Sequence, residues 1–84
     1  MLNQVILVGK VKSFHPELNS LQLEVESPED IQIIPVYIPD NLADQTADYL
    51  KVRFTVGIKA KLESDFGVNV LVVAEKITFI KSET

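Results

Sequence analysis

Pro39-Asp40-Asn41-Leu42-Ala43-Asp44-Gln45-Thr46-Ala47-Asp48-Tyr49-Leu50-Lys51 is the stretch on which the fold turns, because here alone the apolar residues keep a helical period. Leu42, Ala43, Thr46, Ala47 and Leu50 fall at i, i+1, i+4, i+5 and i+8, a single stripe along a short helix, and Asp40 can cap that helix through its carboxylate. On both sides the period is 2. Upstream, Val5, Leu7 and Val11 alternate with Gln4, Ile6, Val8, Lys10 and Lys12, and Leu21, Leu23 and Val25 alternate with Gln22, Glu24 and Glu26. Ile31 to Ile38 is a β-branched run broken by Pro35, which lacks the N–H that a ladder needs and so belongs at an edge or a bulge. Downstream, Phe54, Val56, Ile58, Ala60 and Leu62 alternate against Arg53, Thr55, Gly57, Lys59 and Lys61. Val68 to Ile80 reads as a long last strand whose alternation slips at Val72-Val73-Ala74, as a bulge makes it do. Phe14 to Ser20, Ser27-Pro28-Glu29-Asp30 and Ser64-Asp65-Phe66-Gly67 supply the turns.

Strand, strand, strand, helix, strand, strand predicts an all-β fold, a five-stranded Greek-key OB barrel with one short helix between strands 3 and 4. An SH3-like barrel lacks that helix. A ferredoxin-like domain needs one between its first two strands, where Phe14 to Ser20 is too short and holds Pro16. Residues 1–84 are expected to form a single OB domain, and a chain of this size buries only about 60% of its unfolded surface. With no cysteine and the single His15, neither disulfides nor a zinc site can add stability, so packing, across subunits if need be, must supply it. No cofactor or metal is expected.

Twelve acidic against eight basic residues leave a net charge of −4, the wrong sign for a surface that attracts nucleic acid everywhere. Any such binding must be local. The absence of a cysteine nucleophile and of a glycine-rich phosphate loop, with one histidine, argues against an enzyme, and the acid pairs Glu24/Glu26 and Glu63/Asp65 read as solvated charge. Met1-Leu2-Asn3-Gln4 carries no basic leader, and no apolar run approaches the roughly 20 residues of a membrane span, so the expected compartment is the cytoplasm.

Lys10 and Lys12 share the outward face of strand one, and Lys59, Lys61 and Arg53 that of strand four, its neighbour in such a barrel. These residues form a phosphate track or a solubility face that protects an edge. Among the rings, Phe54 and Phe79 are expected inside the barrel and Tyr49 between helix and barrel, which leaves Tyr37 and Phe66 to stack on bases or to contact another subunit. Ile6 and Val8, with Gln4, put apolar side chains on a face that should be polar, and a second copy of the chain is the expected cover, in a homodimer or tetramer.

Leu2-Asn3-Gln4-Val5-Ile6-Leu7-Val8-Gly9-Lys10-Val11 resembles the opening strand of bacterial single-stranded DNA-binding proteins, close to N-x-V-x-L-x-G-x-L. Ile34-Pro35-Val36-Tyr37-Ile38, Asn41-Leu42-Ala43-Asp44 and Asp48-Tyr49-Leu50-Lys51 are similar to that family's third strand and helix, and Ile58-Lys59-Ala60-Lys61-Leu62 stands where the family has a strand ending in G-x-L. The resemblance implies sequence-independent binding of single-stranded DNA in replication, recombination or repair, self-association, and possible contact with replication proteins, with no role at a membrane. Of the family's aromatic platforms only Phe66 is kept, the places of the others holding Ile33 and Pro39. The loops are short and the acidic tail ending in Pro-Phe is missing, so the likeness is to a short, tailless member. An OB module that interacts with proteins and has lost DNA binding is the alternative.

Overall fold

Alternation along each strand gives the sheet an apolar side, and closing the sheet on itself is what buries that side. The computed structural model describes residues 3–65, 67 and 69–83. Five strands, β1 (Val5–His15), β2 (Ser20–Glu26), β3 (Ile31–Tyr37), β4 (Thr55–Asp65) and β5 (Asn69–Lys81), form a closed barrel in the order β1-β2-β3-β5-β4. One helix, α1 (Asp40–Thr46), lies between β3 and β4, and a 3₁₀ turn, Ala47–Tyr49, extends it. This is the OB topology. Val11, Leu21, Leu23, Val36, Ile38, Val56, Ile58 and Ala60 fill the interior, and Ala43 and Leu50 close one end of it.

The first strand belongs to two ladders. Val5 to Lys10 pairs antiparallel with β4, and Lys10 to His15 pairs antiparallel with β2. Gly9 stands at this handover. A Cβ there would overlap the backbone oxygen of Glu24 and press on Leu23 Cγ at 3.1 Å, so only glycine lets β1 pass so close to β2. Past the handover, β1 carries a bulge: Val11 faces Leu23 and Ser13 faces Gln22, with Lys12 the extra residue.

Several local readings are corrected. The first strand runs on to His15 where a loop was expected, and the turn is only the 3₁₀ segment Pro16–Leu18 closed by Asn19 in the left-handed region at φ 53°. Asp40 is the first helical residue, behind Pro39 at the cap, and its carboxylate accepts a hydrogen bond from Asn19 Nδ2 at 2.6 Å. Asn19 Nδ2 also donates to the Ile38 carbonyl at 2.8 Å, which ties the first turn to the helix entry. Ala47 is exposed, because the helix tightens to 3₁₀ there, while Leu50 at the end of the stripe is buried. The bulge of β5 comes one residue past the expected slip: Lys59 faces Lys76 and Ala60 faces Ala74, leaving Glu75 unpaired. A second bulge at Ile80, between Phe79 opposite Val56 and Lys81 opposite Thr55, was not foreseen. Phe79, expected inside, is 42% exposed, since its end of the barrel is already filled. Pro35 lies where it should, on a strand bridged to β5 only through Tyr37 and Val73.

The two strand glycines give opposite expectations. Gly9→Ala should cost about 1–3 kcal/mol by overpacking, and each kcal/mol lowers the melting temperature of a domain this size by about 4–8 °C. Gly57→Ala meets only Ile80 Cδ1 at 3.6 Å and should leave the melt unchanged or raise it. Thermal melts of both variants check the pair.

Candidate nucleic-acid interface

Antiparallel register sets the outward residues of β1, β4 and β5 in rows. Ile6 faces Lys59, and Lys59 faces Lys76; Val8 faces Gly57, and Gly57 faces Thr78; Lys10 faces Thr55, and Thr55 faces Lys81. Adjacent strands lie about 4.8 Å apart, so Lys59 and Lys76 bring like charges together, an arrangement that an anion relieves. The next row is Lys61, Val73 and Tyr37, on β4, β5 and β3. Tyr37 is 46% exposed. Beyond it the open stretch of β3 and the start of β5 diverge, and a groove of about 260 Å³ forms between Leu18, Pro35, Tyr37, Val70, Leu71 and Val72.

The expected residues therefore divide. Lys59, Lys61 and Tyr37 come together on the outward side of the sheet with Lys76, opposite Lys59, a residue to which the sequence reading gave no role. Lys10 lies at the other end of the sheet, opposite Glu24 on its β2 side, in a polar hollow shared with Glu26 and Lys81. Lys12 occupies the bulge, exposed and opposite no residue. Arg53 is not on β4. It holds a left-handed turn at φ 73°, its N–H donates to the Val11 carbonyl at 2.8 Å, and its Nη1 donates to Glu83 Oε1 at 2.7 Å. Phe66 lies outside the described residues.

The charges are segregated along the chain. Residues 13–50 carry eight of the twelve acids and none of the eight Lys and Arg. Positive charge is thus confined to β1, β4, β5 and the turn before β4, while the outward row of β2 is Gln22, Glu24 and Glu26. Among the described residues no group of three or more His, Asp and Glu could hold a metal ion, and no helix is long and apolar enough to cross a membrane.

Of the residues expected at an oligomer interface, Gln4 is exposed, Ile6 is 76% exposed and Val8 53%. Ile80 lies over Gly57 beside them and widens the apolar strip. From Val5 to Gly9, β1 pairs with β4 alone, and among the described residues its other edge is unpaired. Asn3 extends the strand by side chain: its amide donates to the Leu62 carbonyl at 2.5 Å and accepts from the Leu62 N–H at 3.0 Å.

No known family's profile and no curated protein matches the chain. Solved structures do. The mitochondrial single-stranded DNA-binding protein Rim1 of S. cerevisiae is similar over 98% of this chain and 97% of its own, at 12% identity and a TM-score of 0.80. The dimeric N-terminal domain of PriB from Thermoanaerobacter tencongensis is 28% identical, with 95% and 98% covered and a TM-score of 0.73. An OBody bound to hen egg-white lysozyme is 24% identical, with 96% and 97% covered and a TM-score of 0.67. The fold is that of the OB barrel.

Within the row, Lys61 Nζ sits 3.0 Å from Glu63 Oε1. That hydrogen bond, the attraction of the Glu63 charge and a smaller one from Glu75 hold the Lys61 ammonium above the usual lysine range, against a slight lowering by burial. A raised lysine stabilises the fold fully below its unfolded value, near 10.4, and ceases to do so as pH rises through the folded value. Nitrogen-detected NMR titration should place Lys61 above the usual lysine range. In Glu63→Gln that elevation should shrink, and the stability lost by that change should be constant near neutrality and vanish only in strong alkali.

Proposed function

We propose that the chain binds single-stranded DNA without sequence preference, along the row of Lys59, Lys76 and Lys61 that passes Val73 to Tyr37 and the groove beyond it. The observation that carries this reading is the register of that row: Lys59 opposite Lys76, and Lys61 two residues on in register with Val73 and the half-exposed ring of Tyr37, beside a mainly apolar hollow. Its support from known proteins is that Rim1 is a single-stranded DNA-binding protein and that a replication protein A heterotrimer, similar at 13% identity and a TM-score of 0.55, was solved bound to single-stranded DNA. Lysines serve as point charges toward phosphate, and Tyr37 stacks on a base. Lys10 and Lys12 extend the positive field, whereas Arg53 is held by Glu83. Replication, recombination and repair are the processes that expose such strands.

The working form is a homo-oligomer paired through the open edge of β1, with Gln4, Ile6 and Val8 covered. A dimeric PriB domain supports this reading. A second reading, a protein-interaction module, is favoured by the acidic run from Glu17 to Asp48 and by an OB barrel that does bind a protein, the OBody on lysozyme.

Fluorescence anisotropy with labelled oligo(dT) at two salt concentrations separates them. Affinity should fall steeply with salt, and Lys59→Glu, Lys61→Glu and Lys76→Glu together should lower the salt slope by about 2, at about 0.7 per phosphate contact on a single strand. Tyr37→Ala should weaken binding about 5-fold to 150-fold, from about 1–3 kcal/mol per stacked base. No oligo(dT) binding by the wild-type chain would leave the interaction module standing.

For the oligomer, Ile6→Asp with Val8→Asp should reduce the mass measured by light scattering to that of one chain without lowering helix or strand content. An unchanged mass would place the interface elsewhere.

A further inference from the structure

At the end of the barrel that α1 and its 3₁₀ extension cover, three rings meet that the row above does not use. Phe79 lies 5.7 Å from Tyr49, tilted by 38°, and 5.9 Å from Phe54, edge to face. Leu50, next to Tyr49 in the chain, is buried in the core, whereas Tyr49 is 37% and Phe79 42% exposed. Mutual contact fixes the rings, so a flat partner meets a surface whose ordering cost is already met.

Their surroundings are basic. Lys51 Nζ stands 5.9 Å from the centre of the Phe54 ring. Arg53 adjoins Phe54, although Glu83 occupies its guanidinium, whereas the bulge at Ile80 turns Lys81 to the outward row opposite Thr55. An apolar protein surface does not require lysines beside exposed rings. A polyanion with flat apolar faces does, and single-stranded nucleic acid is that polyanion.

We propose that Tyr49 and Phe79, with Lys51 beside the Phe54 ring they adjoin, form a second base-stacking platform for single-stranded DNA. The inference rests on the proposed function. Val56, opposite Phe79, and Lys61, in the row of Tyr37, are five residues apart on β4, so the two platforms are separated by roughly 17 Å along the sheet. Lys59, Lys76 and Thr78 lie between them, and one strand can span both.

The chain has two tyrosines, Tyr37 and Tyr49, and no tryptophan, so in Tyr37→Phe the tyrosine fluorescence comes from Tyr49 alone. Oligo(dT) of 15 nucleotides should quench that emission, with the midpoint found by anisotropy. Phe79→Leu, which keeps an apolar side chain in place, should weaken binding of the same oligonucleotide by about 5-fold or more while the melting curve stays cooperative. Binding without quenching, or an affinity unchanged by Phe79→Leu, overturns the platform and leaves the Tyr37 row intact. A fall in oligomeric mass in Phe79→Leu also overturns it, by making the patch an interface between copies. If wild-type protein does not bind oligo(dT), the functional reading itself fails, a result distinct from the others.

Discussion

The barrel closes because one strand serves two ladders, and that strand can do so only where it has no side chain. Gly9 lets β1 pass against the carbonyl of Glu24 as it leaves β4 for β2. Everything outward depends on this passage. It fixes which β1 residues face Lys59 and Thr55, and it leaves the edge from Val5 to Gly9 open. Glycine costs strand propensity at that position, and closure of the core around Val11, Leu23, Val56 and Ile58 outweighs the loss. A motif that reads in sequence as hydrophobic alternation ending in glycine is, in space, the joint of the barrel.

Closure is uneven around the circumference. β4 pairs with β5 along nearly their whole lengths, whereas β3 meets β5 through Tyr37 and Val73. Pro35, two residues earlier, cannot donate to any neighbour, which keeps that margin of β3 from recruiting a stray strand. The groove is the gap this leaves. Its lining from Leu18 to Val72 carries no charge, so whatever enters it is selected by shape and apolar area, and the lysines act only at its approach.

The all-β class, the number of strands and the helix between β3 and β4 were legible because each rests on periodicity, a property of the chain alone. What escaped rests on single-residue events. Phe79 keeps the core side, opposite Val56, but lies at the barrel's end and so stays partly exposed, and the bulge at Glu75 was hard to place because alternation weakens where Val72, Val73 and Ala74 are all apolar. Arg53 left its strand because the chain needs a left-handed residue to enter β4, and no glycine or asparagine marked the spot. Asp40 is the first helical residue rather than the cap, and its carboxylate accepts instead from Asn19, 21 residues away. Such contacts are tertiary, so local pattern does not carry them.

Charge gives the fold a direction that shape does not. A net charge of −4 would repel a nucleic acid if it were spread evenly, yet the acids gather on the half of the chain built from β2, β3 and α1, and every lysine stands elsewhere. The Debye length at physiological salt is about 8 Å, shorter than the width of this barrel, so the two halves are screened from one another and a strand near Lys59 and Lys76 senses mainly the lysines. The same screening lets Glu24 and Glu26 present an acidic surface to a basic partner at the same time. Net charge therefore does not count against the proposed DNA binding, which rests on the rows in which register places Lys59, Lys61 and Lys76.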